Sequence, residues 1–185
     1  MRVIAGTARS LPLRTVEGLD TRPTTDRIKE TLFNMLQSCL LDCRFLDLFA
    51  GSGSIGIEAL SRGAKEAVFV ENNRKAYDCI RENLTFTRLA DKAQVHCEDA
   101  LNVLHKLEGG PAFDLIFLDP PYDRGLEQDV FAYLQYSTLA DTDTLIILET
   151  SLHADMNWLK EYGFTPWKSK AYKTNKHVFI GRTGE

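Results

Sequence analysis

Residues 45–56 read FLDLFAGSGSIG, an apolar run followed by three glycines in Gly-x-Gly-x-x-Gly spacing. The run is typical of a buried strand, and the apolar periodicity after it predicts a helix. Glycines at a strand-to-helix turn let the backbone approach a nucleoside ligand closely, but a tight turn without any ligand needs them too. The segment therefore predicts a βα unit of a parallel sheet, and its candidate ligand contacts are Ala50, Gly51, Ser52, Gly53 and Gly56.

Acidic residues end the first and second predicted strands. Asp47 stands four residues before Gly51, at the strand end where α/β sheets bind ligands. A pyrophosphate would repel this carboxylate, so Asp47 favours a positively charged ligand such as S-adenosylmethionine over NAD. Glu71, 24 residues further on, lies where an acid binds both ribose hydroxyls of a nucleoside, and the alternative is a helix cap. The adjacent Asn72 is a further candidate contact.

The third predicted strand is followed by Asp99 and Ala100. The Asp99 carboxylate would accept a hydrogen bond from an adenine amino group, while the Ala100 amide would face the ring. Asp99 is equally suited to capping the next helix, since Asp is a preferred N-cap residue. From the sequence alone, both roles stay open.

The fourth predicted strand ends in the tetrapeptide DPPY at residues 119–122, the most specific motif of the chain. An exocyclic amino group of a base is a poor nucleophile because its lone pair is delocalised into the ring. The Asp119 carboxylate and a carbonyl of Pro120 or Pro121 would accept the amino hydrogens and expose that lone pair, and tandem prolines hold such a turn rigid. Tyr122 would stack on a flipped base. The alternative is a Pro-Pro turn that only ends a strand.

The four motif residues Asp119, Pro120, Pro121 and Tyr122 are thus the candidate catalytic residues. An ordinary aspartate has a pKa of about 3.9, which makes Asp119 a weak base. We therefore expect Asp119 first to orient the amino group, and to take up a proton only after methyl transfer has made the nitrogen acidic.

Short apolar runs alternate with helical patterns along most of the chain, which is typical of βαβ units. Two strand patterns in the tail, joined by Lys-Thr-Asn, predict an antiparallel hairpin at one edge of the sheet. The sequence predicts an α/β fold with a mostly parallel seven-stranded sheet, whose strands are 44–49, 67–71, 93–97, 114–119, 144–149, 164–170 and 176–181. The predicted helices are 25–40, 54–62, 74–86, 100–107, 126–136 and 154–162.

The N-terminal segment precedes this alternation. Residues 2–5 and 11–15 predict a small β-hairpin, joined to the first helix by the Pro- and Thr-rich segment 21–25. Thr24 or Thr25 would cap that helix. We expect a single domain over residues 1–185, in which 1–23 form the hairpin extension and linker and 24–185 form the core.

Basic and acidic residues are separated along the chain. Residues 1–29 carry six basic and three acidic residues, residues 165–182 five basic and none acidic, and residues 30–164 11 basic against 22 acidic. If both ends share one face, they form a basic patch suited to nucleic-acid phosphates. Lysines on an edge strand also prevent sheet-to-sheet pairing, which is the alternative. The candidate RNA contacts are Arg9, Arg14, Arg22, Arg27, Lys168, Lys170 and Lys173.

Several classes of protein are excluded by composition. No apolar run approaches the roughly 18 residues of a membrane span, and no secretory signal is evident, so we expect a cytoplasmic protein. The four cysteines have no C-x-x-C spacing, which predicts buried thiols rather than disulfides or zinc, and no metal site is expected. The four histidines are scattered and are expected to be structural or exposed. Trp158 and Trp167 are expected to pack the last helix and the hairpin.

Taken together, DLFAGSG at 47–53, EALSRGA at 58–64 and DPPY at 119–122 resemble a Rossmann-like class I methyltransferase that acts on an exocyclic amino group. RVIAG at 2–6 and TRPTTDRIKE at 21–30 are further similar to the RsmD family of bacterial small-subunit ribosomal RNA guanine-N2 methyltransferases. The resemblance covers most of residues 1–150 and becomes weaker in the tail.

This resemblance implies S-adenosylmethionine as donor, S-adenosylhomocysteine as product, and a guanine of small-subunit (16S) ribosomal RNA as acceptor. The substrate would be the small ribosomal subunit or an assembly intermediate. The resemblance also implies that Asp47, Gly51 and Gly53 surround the methionine part, that Glu71 binds the ribose and Asp99 the adenine, and that residues 119–122 bind the target. The segment 22–27 would lie beside the entrance for cofactor and RNA. The family hairpin is richer in Lys and Arg, whereas residues 7–12 contain only Arg9.

Three other functions remain as alternatives. A DNA adenine-N6 or cytosine-N4 methyltransferase uses the same tetrapeptide, but it would carry a target-recognition insertion, for which the predicted loops are too short. A non-catalytic RNA-binding protein on a methyltransferase fold would have a damaged glycine turn or tetrapeptide, and both are intact here. An NAD oxidoreductase is disfavoured by Asp47.

Overall fold

The computed structural model describes residues 1–16, 25–121 and 124–184 of the chain. Within them, seven strands form one sheet in the order β3-β2-β1-β4-β5-β7-β6. The strands are β1 (Arg44–Leu48), β2 (Glu66–Val70), β3 (Ala93–His96), β4 (Leu115–Leu118), β5 (Leu145–Ser151), β6 (Phe164–Ala171) and β7 (Asn175–Arg182). The predicted sheet, mostly parallel with an antiparallel hairpin at one edge, is confirmed.

Helices connect the parallel strands. The α-helices within the described residues are α1 (Asp26–Leu36), α2 (Ser54–Ser61), α3 (Arg74–Thr87), α4 (Ala100–Leu107) and α5 (Leu126–Leu134), and 3-10 turns cover Gln37–Cys39, Ala90–Lys92 and Asn157–Tyr162. Thr25 caps α1, because its side chain accepts a hydrogen bond from the Ile28 backbone N–H. Leu32 and Leu36 of α1 are buried, as their helical spacing predicts.

The direction in which the chain crosses the sheet reverses between β1 and β4. β2 and β3 lie on one side of β1, whereas β4 and β5 follow on the other. β1 and β4 are parallel neighbours, with Phe45 opposite Leu115 and Leu48 opposite Leu118. The residues after Leu48 and Leu118 therefore emerge side by side at the carboxyl edge of the sheet, where α/β proteins bind ligands.

Side chains of the sheet alternate between two hydrophobic clusters. Phe45, Phe69 and Phe117 point to a cluster that includes residues of α1, α2, α3 and the N-terminal segment. Leu46 and Ile116 point to the opposite cluster, with α4, α5 and the 3-10 turn Asn157–Tyr162. Both faces of the parallel strands are thus covered, as their continuous apolar sequences predict.

The predicted N-terminal β-hairpin is not formed as two strands. Only Arg2 and Pro12 form an isolated bridge. The backbone N–H groups of Ile4 and Ala5 donate instead to the Glu58 carboxylate of α2, at 2.8 and 3.0 Å. The two halves of the segment nevertheless pair with each other, because the Val3 N–H donates to the Leu11 carbonyl at 2.9 Å and the Leu13 N–H donates to the Met1 carbonyl at 3.1 Å. The predicted pairing of residues 2–5 with 11–15 is therefore present as an isolated bridge and not as two regular strands.

Gly6 allows this close approach. Its φ is +84°, and a Cβ at this position would lie 1.8 Å from the Ser61 carbonyl oxygen. The neighbouring Thr7 N–H donates to the same carbonyl at 2.8 Å, and the Ala8 N–H donates to Ser61 Oγ at 2.9 Å. A side chain at position 6 would therefore separate the segment from α2.

Three predicted helices differ from the structure. The helix predicted over 25–40 ends at Leu36 and continues as a 3-10 turn, and the helix predicted over 126–136 ends at Leu134. The helix predicted over 154–162 is only the 3-10 turn Asn157–Tyr162. Asp155 accepts a hydrogen bond from the Asn157 N–H, and Gly163 ends the turn with a φ of +76°, so too few residues remain for a stable α-helix.

The predicted burial of the cysteines was wrong for Cys39, and the predicted packing of the two tryptophans was confirmed in part. Cys39 is exposed, because it lies in the 3-10 turn, which does not keep the helical period, whereas Cys43 and Cys79 are buried. Trp158 packs against Phe131 as expected, and Trp167 contacts Phe179 of the hairpin but remains 61% exposed beside a β-bulge of β6. No helix of the described residues is long and apolar enough to cross a membrane.

Candidate active site

The glycine turn after β1 has one open position and one packed position. Gly51 has a φ of +56°, and a Cβ there would meet no atom within 4 Å. Gly56, in the first turn of α2, faces the Phe69 ring of β2, and a Cβ there would lie 2.3 Å from a ring carbon. Gly51 is therefore free to face a ligand, whereas Gly56 is required for packing the helix on the sheet.

The intervening residues shape the turn. The Ala50 N–H donates to the Val70 carbonyl at 2.9 Å, which extends the β1–β2 pairing by one bond. The Gly53 N–H donates to the Ala50 carbonyl at 2.7 Å, and Gly53 caps α2 with a φ of +76°. The Ser52 carbonyl accepts from the Asn83 side chain at 3.0 Å, which attaches the turn to α3.

Glu71 links this turn to the start of α3. One carboxylate oxygen accepts from the Gly51 N–H at 2.9 Å, and the other accepts from the Asn73 N–H at 2.8 Å. Asn73 is the N-cap of α3. Each carboxylate oxygen has a further lone pair, so Glu71 keeps acceptors for two hydroxyl groups while its position is held by the backbone.

Asp99 does not form the side-chain hydrogen bond of an N-cap, although it occupies the N-cap position of α4. Its carboxylate instead accepts from the Asn72 side chain at 2.9 Å. Both side chains are exposed, and Ala100 follows in the first turn of α4. Of the two roles left open by the sequence, the side-chain cap is absent, and Asn72 and Asp99 form one polar pair across the ends of β2 and β3.

Asp47 is buried beneath the glycine turn, with 1% of its surface exposed. Its carboxylate accepts a hydrogen bond from the Gly56 N–H at 2.9 Å. Burial raises the pKa of Asp47 to about 7; the Gly56 N–H opposes this increase, and the charge of Glu71 adds to it. A cation bound nearby would favour the ionised form.

Asp119 follows β4 at the same edge. It is half-buried, Pro120 is buried and Pro121 is exposed, while Tyr122 lies outside the described residues. Burial, followed by the negative charges of Glu149 and Asp47, raises the pKa of Asp119 well above the ordinary value. Asp119 therefore binds a proton more tightly than the weak base expected from the sequence.

Glu149 is a further candidate site residue, which the sequence analysis did not select. Leu118 of β4 pairs with Leu148 of β5, so the next residues, Asp119 and Glu149, are neighbours on one face. Glu149 also pairs with His177 of β7, whose Nε2 lies 2.9 Å from the Glu149 carboxylate. Glu149 was the last residue of the predicted strand 144–149, as Glu71 was of 67–71, and that position was the available signal, although β5 continues to Ser151.

His177 was predicted to be structural or exposed, and it is completely buried. Its Nδ1 lies 3.2 Å from the Tyr172 hydroxyl, and its ring contacts Phe117 edge to face. Asn175 donates to the second oxygen of Glu149. No sequence pattern places His177 beside Glu149, because their contact depends on how β7 inserts next to β5.

The predicted RNA contacts form two exposed groups. Arg9 and Arg27 are exposed, and Arg14 is exposed but paired with Glu82 at 2.5 Å. Arg22 lies outside the described residues. The second group, Lys168, Lys170 and Lys173, is exposed on β6 and just after it.

Lys168 pairs with Phe179 and Lys170 with His177, which places both lysines on the sheet face that the N-terminal segment also covers. β6 runs parallel to β5, so its end, with Lys170, lies at the carboxyl edge. β6 is also an edge strand, and the alternative role of its lysines in preventing pairing is equally compatible with this position.

The residues at the carboxyl edge suit S-adenosylmethionine. The space at Gly51 admits a ligand, the free lone pairs of Glu71 match ribose hydroxyls, and the Asn72–Asp99 pair lies exposed next to them. Two carboxyl groups, Asp47 and Asp119, would interact favourably with a sulfonium charge. Among the described residues, no three His, Cys, Asp or Glu side chains are grouped so that they could hold a metal ion.

Comparison with known proteins agrees with this arrangement. The family model described as "Conserved hypothetical protein 95" matches residues 1–180. The Ribosomal RNA small subunit methyltransferase D of Haemophilus influenzae is 39% identical over 170 residues, with 87% of each chain covered. That of Escherichia coli is 36% identical over 152 residues, which cover 82% of this chain and 75% of the relative.

A solved structure is similar over the whole chain. The yhhF protein of Escherichia coli shares 32% sequence identity, covers 100% of this chain and 99% of its own, and superimposes with a TM-score of 0.83. The fold is thus that of a Rossmann-like methyltransferase. The chain belongs to the "Conserved hypothetical protein 95" family, which is the RsmD family that its motifs resemble.

Proposed function

We propose that this protein methylates the exocyclic N2 amino group of a guanine in small-subunit ribosomal RNA, with S-adenosylmethionine as donor. The observation that carries the proposal is the adjacency of β1 and β4, whose carboxyl ends bear the glycine turn and the Asp119-Pro120-Pro121 turn. A donor site and an amino-acceptor site would thus open to the same edge. When bound, the donor supplies a methyl group on a positively charged sulfur.

The residues after β1, β2 and β3 would hold the nucleoside and the methionine part of the donor. Gly51 allows close approach, Glu71 accepts from the ribose, and Asp99 with Asn72 binds the adenine beside the Ala100 amide. Asp47 supports the turn through Gly56 rather than through direct contact. Its buried carboxylate favours a cationic ligand in this crevice.

The residues after β4 would prepare the acceptor. The Asp119 carboxylate and a prolyl carbonyl accept the amino hydrogens, so the nitrogen lone pair points to the methyl group. As the N–C bond forms, the methyl–sulfur bond breaks and its electron pair stays on sulfur. The nitrogen then loses a proton to Asp119, whose raised pKa suits it to this step. Tyr122 would stack on the base.

Two considerations support ribosomal RNA as the substrate. Two relatives that this chain covers over most of their length are named Ribosomal RNA small subunit methyltransferase D. The exposed basic side chains Arg9, Arg27, Lys168, Lys170 and Lys173, together with Arg14 and Arg22, would bind phosphates around the site. Such a substrate implies action in the cytoplasm on the small subunit or an assembly intermediate.

The decisive experiment gives the protein methyl-labelled donor with small ribosomal subunits, naked small-subunit RNA or duplex DNA, followed by digestion to nucleosides. We expect label as N2-methylguanosine, from a subunit or RNA substrate. Label only in DNA, as N6-methyladenine or N4-methylcytosine, would refute the proposal in favour of the DNA methyltransferase alternative. RNA binding without any transfer would favour a non-catalytic protein, and binding of NAD measured by calorimetry would favour an oxidoreductase.

A further inference from the structure

Three neighbouring strands bring an acid and a histidine up to Asp119. β4 pairs with β5 through Leu118 and Leu148, and β5 pairs with β7 through Glu149 and His177. Because alternate residues share a face, Asp119, Glu149 and His177 form a row across the sheet. Neighbouring strands are about 4.8 Å apart, so Glu149 is the charged residue next to Asp119 on the β5 side.

Two side chains of β7 hold the Glu149 carboxyl group in place. His177 Nε2 lies 2.9 Å from one of its oxygens, and Asn175 Nδ2 donates to the other. The Tyr172 hydroxyl lies 3.2 Å from His177 Nδ1, which fixes the ring from its far side. Glu149, Asn175 and His177 are all buried, so little solvent screens the charge of Glu149 from Asp119.

Stabilisation of the sheet does not account for this buried polar row, because apolar residues of similar size would serve that purpose as well. Its neighbours along β5 and β7, such as Leu148 and Val178, are apolar and buried. Asn175 Oδ1 is buried and has no hydrogen-bond donor among the described residues, which is a further cost. A buried polar row that lowers the stability of the protein and lies next to the Asp119-Pro120-Pro121 turn indicates a chemical role.

We propose that Glu149, held by His177, is a positioning residue that acts through Asp119 and makes Asp119 the acceptor of the proton that the methylated nitrogen loses. This inference rests on the proposed function for the reaction itself. The charge of Glu149 stands on the β5 side of Asp119, and the carboxyl group of Asp47 stands on the β1 side. Of the groups that face Glu149, His177 and Tyr172 come from β7 and the turn before it.

The proton balance of the step is simple. The nitrogen lone pair forms the N–C bond, the methyl–sulfur bond breaks with its electrons remaining on sulfur, and one N–H proton moves to the Asp119 carboxylate. The sulfonium and the carboxylate both become neutral, so the step removes two opposite charges and needs no other reactant. Asp119 then returns the proton to solvent. The negative charge of Glu149 favours the protonated product state of Asp119.

The proposal is tested on the protein without donor or RNA. Carboxyl carbons of aspartate are labelled with carbon-13, and the Asp119 signal is assigned by its loss in Asp119→Asn and followed by NMR against pH. We expect the Asp119 midpoint in the wild type to lie well above that of an ordinary aspartate. In Glu149→Gln, which keeps the side-chain shape, the midpoint should move to lower pH, whereas Glu149→Asp should move it less.

Glu108→Gln is the matched control. Glu108 is a carboxylate with several hydrogen bonds, to Ser137 and Thr138 among others, and it follows α4 away from the carboxyl edge. Its replacement should leave the Asp119 midpoint unchanged. The acidic limb of the pH profile of kcat should shift in Glu149→Gln in the same direction as the midpoint.

An Asp119 midpoint that is ordinary in the wild type, or that is unchanged in folded Glu149→Gln, would overturn the proposal. Folding of each variant is checked by circular dichroism, and Glu149→Asp replaces Glu149→Gln if the latter does not fold. A shifted midpoint in a protein that methylates no RNA would refute the proposed function while leaving the coupling of Glu149 to Asp119 intact. The two failures are therefore distinguishable.

Discussion

The Asp47 carboxylate accepts a hydrogen bond from the backbone N–H of Gly56, 2.9 Å away, underneath the glycine turn. This bond joins the end of β1 to the first turn of α2, and among the described residues it is the one hydrogen bond of the buried carboxyl group. Because the pKa of Asp47 rises to about 7, ionisation of this group opposes folding. The turn is therefore held by a residue that makes the protein less stable at alkaline pH.

Replacement of Asp47 should reveal how much stability the protein loses when this carboxyl group ionises. A carboxyl group whose pKa is higher in the folded than in the unfolded state stabilises the protein when it is protonated. Its contribution is fully present below about pH 4 and is lost as pH rises through about 7. Asp47→Asn should thus be more stable than the wild type at pH 8, by up to about 4 kcal/mol, and the gain should disappear at pH 4. Urea unfolding at both pH values measures it, and a gain of equal size at both would contradict the pKa assignment.

Gly56→Ala should destabilise the protein, because the added Cβ would clash with the Phe69 ring. Overpacking of this kind costs about 1–3 kcal/mol, which chemical denaturation resolves. Gly181→Ala is the control, since the nearest atom to its added Cβ, in Trp167, is 4.0 Å away. The double variant Gly56→Ala/Phe69→Leu should recover part of the loss; no recovery would mean that the ring is not the obstacle.

Asp119→Ala should reduce the rate of methyl transfer by about 10²–10⁴-fold and leave donor affinity within a few-fold. The reason is that this side chain would touch only the acceptor. Asp114→Ala removes a carboxylate just before the other end of β4, where it accepts from the Arg44 N–H, and should retain activity. Donor affinity is measured by calorimetry, and an equally large loss of donor binding in Asp119→Ala would contradict its role.

Replacement of Lys168, Lys170 and Lys173 by serine should weaken RNA binding and reduce its salt dependence. Each lysine that binds a phosphate contributes about 0.7–0.9 to the slope of log K against log salt, so the slope should decrease by that amount for each such lysine replaced. The control triple variant replaces Lys65, Lys92 and Lys160, which are exposed near the amino ends of β2, β3 and β6. An unchanged slope in the first variant would remove β6 from the RNA surface.

Glu58→Ala should be among the most destabilising single changes. Glu58 is completely buried and binds two backbone N–H groups of the N-terminal segment, with Arg62 at 2.8 Å and Lys29 at 3.3 Å. Loss of one partner of a buried ion pair costs about 3–5 kcal/mol. Glu82→Ala, which breaks an exposed pair with Arg14, should stay within about 1 kcal/mol. Urea unfolding of both variants compares them, and similar losses would show that burial of Glu58 has no effect.

Local patterns were sufficient to predict the sheet, and they also selected the candidate residues for the donor half of the site. Apolar runs and glycine spacing identified the strands and the turn at Gly51, because strand burial and turn geometry depend on residues close in sequence. Glu71 and Asp99 were selected as candidates from their positions at and shortly after the ends of predicted strands. The structure then assigned Gly56 to packing against Phe69, which no pattern of glycines alone reveals.

Contacts between distant segments were not predictable. The pairing of the N-terminal segment with itself was expected, but its attachment to Glu58, more than 50 residues away, was not. His177 reaches Glu149 only because β7 inserts between β5 and β6. The pKa of Asp119 is raised by burial and then by the charges of Glu149 and Asp47, which lie on other strands. Such properties follow from the register of strands that are far apart in sequence, which periodicity does not encode.

The position of β7 between β5 and β6 also affects the order in which the protein can be completed during translation. β5 emerges from the ribosome more than 20 residues before β7, and until then β5 has a free edge. Glu149 would meanwhile lack both His177 and Asn175. A nascent chain that stops before residue 175 therefore contains every motif residue of the site. It nevertheless lacks the β7 partners of Glu149, and the edge of β5 is open to pairing with another chain.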